Sequence, residues 1–248
     1  MATEKPTSFL YSVWDFIKTI AIALAIAFVI RSFWFEPYRI PSSSMVPTLE
    51  IGDFLFVNKY TYGLNIPFTD KTFFEKAPKR GDIVVFKREA PELPGSFMGL
   101  GPTFFIKRIV AVPGDKISYE GKFLSINGEV APLEYVEQKT YVDNGNFSYK
   151  VNLYKEDLGR TVHDVYLTPM VEEKNLREAT VPEGHYVVIG DNRDNSHDSR
   201  GWMYPNWGFL PREDIVGRAS FTWLSLGHNY MPRFDRMFLN LKVKENES

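Results

Sequence analysis

The 248-residue chain is 44% hydrophobic and 24% charged, the balance of a folded protein with one large domain or two modest ones. Its formal net charge of −2, without an extended basic tract, argues against nucleic acid as a partner. The absence of cysteine excludes disulfides, thiolate zinc sites and a cysteine nucleophile, and leaves the compartment open. His163, His185, His197 and His228 are scattered without i, i+4 spacing, so neither a metal site nor a cofactor is expected.

The first predicted element is a membrane anchor. Thr19 to Ile30 is an unbroken apolar run, too short alone for a ~30 Å hydrocarbon core, which needs about 20 helical residues. Extending it to 16–35 reaches that length and takes in Lys18 and Arg31, whose stems can snorkel toward headgroups. Trp14 and Trp34 fall where interfacial aromatics belong. A cleaved signal peptide would place small residues just past the run, but Arg31-Ser32-Phe33-Trp34 follows it. A buried core helix would show an apolar stripe, whereas this segment is apolar on every face. Lys5 and Lys18 on one side against Arg31 and Arg39 on the other leave the orientation open.

Beyond Pro37, short β-like runs alternate with Gly, Pro and Asn. Strands are predicted at 53–60, 82–87, 103–112 and 186–189, and Asn127-Gly128 within 122–131 signals a hairpin. Val84-Val85-Phe86 and Val187-Val188-Ile189 are apolar without alternation, so those strands should be covered on both faces. The fold class expected is mainly β and largely antiparallel, behind an N-terminal transmembrane helix. From 116 to 181 the chain becomes more polar and richer in Tyr, Glu and Asn. This suggests a subdomain inserted between two parts of one core, 36–115 and 182–248, with 1–15 as a tail. The alternative is one continuous domain.

Pro41 and Pro47 bracket Ser42-Ser43-Ser44, which disfavours helix and favours an extended or turning backbone. Such a segment can aim a hydroxyl and a neighbouring N–H at one point, as a nucleophile and oxyanion donor require. Taken alone it reads better as a polar turn after a helix. Lys107 lies in the apolar run Thr103–Val112. A lysine can activate a serine only after losing its proton, and an apolar strand is a place that would strip it. Alternation puts Lys107 on the face of Phe105 and Ile109, and Arg108 on that of Ile106 and Val110, so periodicity does not settle which cation is buried. A base at neutral pH needs the lysine pKa to fall from ~10.4 toward ~7–8, about 3–5 kcal/mol of destabilised ammonium.

Gly190 to Arg200 is dense in turn formers and in charges of both signs, directly after an apolar run. It reads either as an exposed loop braced by Asp/Arg pairs or as a loop that folds over the strand end and supplies a hydroxyl to the site. His197-Asp198 permits a Ser-His-Asp alternative, although adjacent residues are awkward to orient in those roles.

These segments together resemble the bacterial type I signal peptidases, membrane-bound serine/lysine endopeptidases that remove signal peptides from exported preproteins. The resemblance rests on Pro41-Ser42-Ser43-Ser44-Met45-Val46-Pro47-Thr48-Leu49, on Arg80-Gly81-Asp82-Ile83-Val84-Val85-Phe86, on Ile106-Lys107-Arg108-Ile109-Val110-Ala111-Val112-Pro113-Gly114-Asp115, and on Gly190 through Arg200, in that order behind the anchor. It implies that Ser44 is the nucleophile and Lys107 the general base, with the Ser42 hydroxyl and the Ser44 N–H as oxyanion donors. It also implies that Ser196 orients the lysine amine and that Asp198 and Arg200 form a supporting salt bridge. Tyr38, Ile40, Met45, Leu49 and Phe105 would line shallow pockets for small residues at positions −1 and −3, excluding large ones sterically. The implied fold is a β-rich core with an inserted β subdomain, facing the periplasm or outer surface of the cytoplasmic membrane. The implied partners are preprotein signal peptides, membrane lipid and the neighbouring export translocon.

The chain departs from the family pattern at Ser43, where a glycine is usual, and at Gly201–Asn206, six residues placed before Trp207-Gly208. One span is evident where some relatives have two. The glycine-rich stretch 95–102 carries Phe97, Met98 and Leu100 and reads either as a lipid contact or as part of the protein's own core. A soluble self-cleaving Ser/Lys repressor relative is disfavoured by the anchor and the lack of a basic helical module. A tethered binding domain without catalysis is disfavoured by the presence of both Ser44 and Lys107.

Overall fold

The computed structural model describes residues 9–33, 35–65, 72–88, 103–142, 147–172, 174–227 and 229–242, with the backbone alone at 9, 10, 25–33, 35, 64, 65 and 72. Helix α1 (Phe9–Phe33) takes in most of the expected anchor. Among the described residues no helix is long and apolar enough to cross a membrane. The stretch 95–102 lies outside the described residues.

The chain is mainly β. Strands β1 (Phe35–Arg39) and β2 (Asp53–Asn58) pair antiparallel, and the short β3 (Leu64–Asn65) and β4 (Thr72–Phe73) pair with each other. Next come β5 (Ile83–Arg88) and β6 (Thr103–Ala111), then β7 (Lys116–Glu120), β8 (Phe123–Ile126) and β9 (Glu129–Val130). A long hairpin, β10 (Leu133–Val142) with β11 (Ser148–Asp157), continues into β12 (Val162–Leu167) and β13 (Leu176–Thr180). The last strands are β14 (His185–Ile189), β15 (Leu210–Pro211) and β16 (Ile215–Ser225). A seven-stranded sheet runs β1-β2-β16-β5-β6-β14-β15, while β10-β11-β12 and β13-β7-β8-β9 form two smaller sheets.

The β5 run without alternation is covered on both faces. Ile83 and Val85 pack with Leu55, Val57 and Ile106, and Val84 and Phe86 pack with Ile109, Tyr186 and Val188. In β2, Leu55 and Val57 turn into the core, while Phe54 and Phe56 meet Phe221 and Trp223 of β16 on the other face. The expected hairpin forms at Asn127-Gly128, both with positive φ, as a two-residue turn between right-twisted strands requires. All strands between 116 and 180 lie outside the seven-stranded sheet.

Candidate active site

The serine segment folds as a turn between β1 and β2. Its apolar side chains fix it from below: Met45 and Leu49 are fully buried with Ile40 in the core under β2 and β5, and Val46 packs on Val151, Leu153 and Tyr166 of the β10–β12 sheet. From the other side, Asn192 donates its N–H to the Ser44 carbonyl (3.1 Å) and its amide to the Ser43 carbonyl (3.1 Å). Asn195 donates to Ser43 Oγ (2.8 Å), so the extra hydroxyl at 43 has a partner. A loop distant in sequence thereby holds the Ser44 backbone against the core.

Lys107 and Arg108 are both buried, at 3% and 4% exposed, on opposite faces of β6. Lys107 Nζ donates to Ser44 Oγ (2.7 Å) and to the Ile106 carbonyl (2.8 Å). Burial lowers its pKa to about 8, against the opposing pull of the Asp198 and Asp191 carboxylates. Ser44 is 8% exposed, and Ser42 Oγ stands 3.5 Å from Ser44 Oγ. Arg108 instead grips Asp191, Nε to Oδ1 at 2.9 Å and Nη2 to Oδ2 at 2.7 Å, while Thr48 Oγ1 donates to Asp191 Oδ2 (2.5 Å). The lysine thus faces the hydroxyl, and its neighbour clamps the turn that carries it.

The Gly190–Arg200 segment folds over the end of β14. Arg200 forms a two-pronged pair with Asp198 (2.9 and 2.8 Å), and Asp198 Oδ2 accepts the Gly190 N–H (3.0 Å). Burial works to raise the Asp198 pKa, yet Arg200 and the Gly190 N–H hold the carboxyl below its usual range. A Cβ at Gly190 would collide with Ser196 Oγ and the Ser44 carbonyl, which is why only glycine fits there. Ser196 Oγ is buried beside this junction, where it helps hold the Asp198 carboxyl low, and Lys107 Nζ bonds to Ser44 and Ile106 rather than to it. His197 is exposed and Asp198 is committed to Arg200 and Gly190, so the Ser-His-Asp arrangement does not form.

Sequence reasoning did not reach the second layer. Glu156 of β11 is fully buried and takes both Nη groups of Arg193, and the Arg193 carbonyl accepts Arg200 Nη2 (2.7 Å). His163, 3.4 Å from Glu156 and 3.7 Å from Asp191, has its pKa held well below the usual value by burial and then by Arg108 and Arg193. A cavity of about 330 Å³ lies on this Arg108 side, lined by neither Ser44 nor Lys107. The signal for this layer was the charge density of Gly190–Arg200, but its partners at 108, 156 and 163 sit on separate strands.

Of the expected pocket residues, Ile40, Met45 and Leu49 are core and form a floor. Tyr38 and Phe105 are half-buried. Phe104, which was not anticipated, is more exposed and meets the Tyr38 ring edge-on at 5.6 Å. On the side of β6 away from β5, pairing to β14 covers only Arg108, Ile109 and Ala111, so among the described residues the Thr103–Lys107 edge has no strand beside it.

A β-rich domain that presses a buried lysine amine against a turn-borne serine hydroxyl is built as a serine hydrolase. The family described as signal peptidase, peptidase S26, matches residues 13–224, and the chain belongs to it. Signal peptidase I of Pseudomonas fluorescens is 39% identical over 90% of this chain and 77% of its own length. The Pseudomonas aeruginosa enzyme is 38% identical over 89% and 76%, and that of Haemophilus influenzae 35% over 92% and 76%. A signal peptidase I of known crystal structure from Enterococcus faecalis is 26% identical, spanning 58% of this chain and 97% of its own, with a TM-score of 0.30. The chain is accordingly a serine peptidase.

Proposed function

We propose that the protein is a membrane-anchored endopeptidase that removes N-terminal signal peptides from exported preproteins, with Ser44 as nucleophile and Lys107 as general base. The observation that carries this reading is the 2.7 Å contact between Lys107 Nζ and Ser44 Oγ, both of them buried. With the amine neutral, its lone pair takes the Ser44 proton as Oγ attacks the carbonyl carbon of residue −1. The Ser44 N–H and the Ser42 hydroxyl stabilise the oxyanion, and the lysine returns its proton to the leaving amine. Water, deprotonated by the same lysine, then releases the acyl group and restores Ser44.

The substrate lies extended against the Thr103–Lys107 edge, beside which no described strand lies, a β-addition that holds it through its backbone whatever its side chains are. Tyr38 and Phe104 over the floor of Ile40, Met45 and Leu49 leave room for small side chains at −1 and −3. Residues 16–35 anchor the chain in the bacterial cytoplasmic membrane with 1–15 inside and the β domain outside, beside the translocon and in contact with lipid. Cleavage of a model preprotein by the detergent-solubilised chain tests this. Wild type should cut after Ala-x-Ala, and folded Ser44→Ala and Lys107→Met should be silent. Equal cutting by the variants would remove the assignment.

A further inference from the structure

The six residues Gly201–Asn206, which the family pattern does not call for, form a closed turn rooted in the active-site loop. The N–H groups of Gly201 and Trp202 both donate to the Asp198 carbonyl (2.7 and 3.1 Å), and Asn206 N–H closes onto the Met203 carbonyl (2.8 Å). Trp202 anchors the turn. Its ring lies edge-on to Phe86 at 5.8 Å, and the Arg88 guanidinium stacks over it at 4.0 Å. It also closes tightly on the chain beyond, since a Cβ on Gly208 would stand 2.7 Å from Trp202 Cβ.

This anchoring places the turn on a particular face. Cross-strand partners share a face, and β5 pairs with β6 as Val84 with Lys107, Phe86 with Phe105 and Arg88 with Thr103. Trp202, on Phe86 and Arg88, therefore stands on the face of Phe105 and Lys107. Phe86 bridges the two, stacking on Phe105 at 5.8 Å. Met203 and Tyr204, next along the turn, are 61% and 56% exposed, large apolar side chains on a segment with a rigid base.

We propose that this turn is a second recognition element, a wall that contacts the signal-peptide segment about four to six residues upstream of the scissile bond. The inference rests on the peptidase reading above, in which the substrate follows the β6 edge and is cut beside Lys107. Thr103 is four residues from Lys107, or ~13 Å along a strand, so a substrate laid parallel to β6 with its scissile bond at Lys107 meets the Arg88–Trp202 end of the sheet some four residues upstream. Met203 and Tyr204 favour apolar side chains there.

The test compares two peptides on the full chain in detergent, one reaching seven residues upstream of the scissile bond and one starting three upstream. The double variant Met203→Ser/Tyr204→Ser changes only exposed side chains. It is expected to raise KM for the long peptide about tenfold with kcat within about twofold, and to leave the short peptide unaffected. A lysine five residues upstream should weaken the long peptide for wild type, and the double variant should lose this discrimination. Equal loss on both peptides, or no change on the long one while wild type cuts both, overturns the proposal. Failure of wild type to cut either peptide overturns the peptidase reading itself.

Discussion

At Lys107 two demands conflict. A buried amine is costly, yet only a buried amine is neutral enough to take a serine proton. With its folded pKa at about 8, the native lysine binds fewer protons than the unfolded one between about pH 8 and 10.4. Its penalty is therefore full below pH 8 and fades as the pH approaches 10.4. Lys107→Met should stabilise the fold at pH 7 by on the order of 3 kcal/mol while abolishing cleavage, and the gain should vanish by about pH 10.5, as thermal midpoints across pH would show. A variant that unfolds more readily at pH 7 would contradict this. Gly190→Ala drives a methyl into Ser196 and the Ser44 carbonyl, so kcat should fall about a hundredfold with a smaller loss of stability. Lys107 and Ser44 could be paired from the sequence through the family motifs. Alternation could not say whether Lys107 or Arg108 is buried, because each is buried on its own face by a different partner.

Among the elements, the serine turn depends on contacts that no local pattern encodes. Asp191 holds Arg108 and Thr48, and Asp191→Ala would strand a buried guanidinium at a cost of about 3–5 kcal/mol. Denaturant unfolding should show that loss, with Asp191→Asn milder. The strands read from the sequence were those with apolar runs or a turn signal: β2, β5, β6, β14 and the Asn127-Gly128 hairpin. The ten-residue β10 gave no such signal, because it is an edge strand exposed along nearly its whole length and Leu133–Val142 carries no two-residue apolar period. The apparent freedom of the Gly190–Arg200 loop in sequence hid a segment whose charges are nearly all paired and buried.

Across the whole molecule, the stretch 116–181 supplies more than surface. Glu156 from the β10–β12 sheet holds Arg193, which passes through its carbonyl to Arg200 and so to Asp198 and Gly190. Read as an inserted subdomain, it braces the loop that in turn braces Ser44. Glu156→Ala should lower the thermal midpoint by several degrees and depress kcat with KM little changed, whereas a distant surface substitution such as Glu137→Ala should do neither. Its composition marked the stretch as different from its flanks. That the fully buried Glu156 reaches the active-site loop depends on a contact between residues 37 apart in sequence.

The most direct test of the Ser44–Lys107 account is the pH dependence of kcat/KM for a preprotein peptide, measured on the full chain. Loss of the lysine proton predicts a rise through an apparent pKa of about 8. A profile already flat at pH 6, or one that rises with the ordinary histidine range, would show that some other group takes the serine proton.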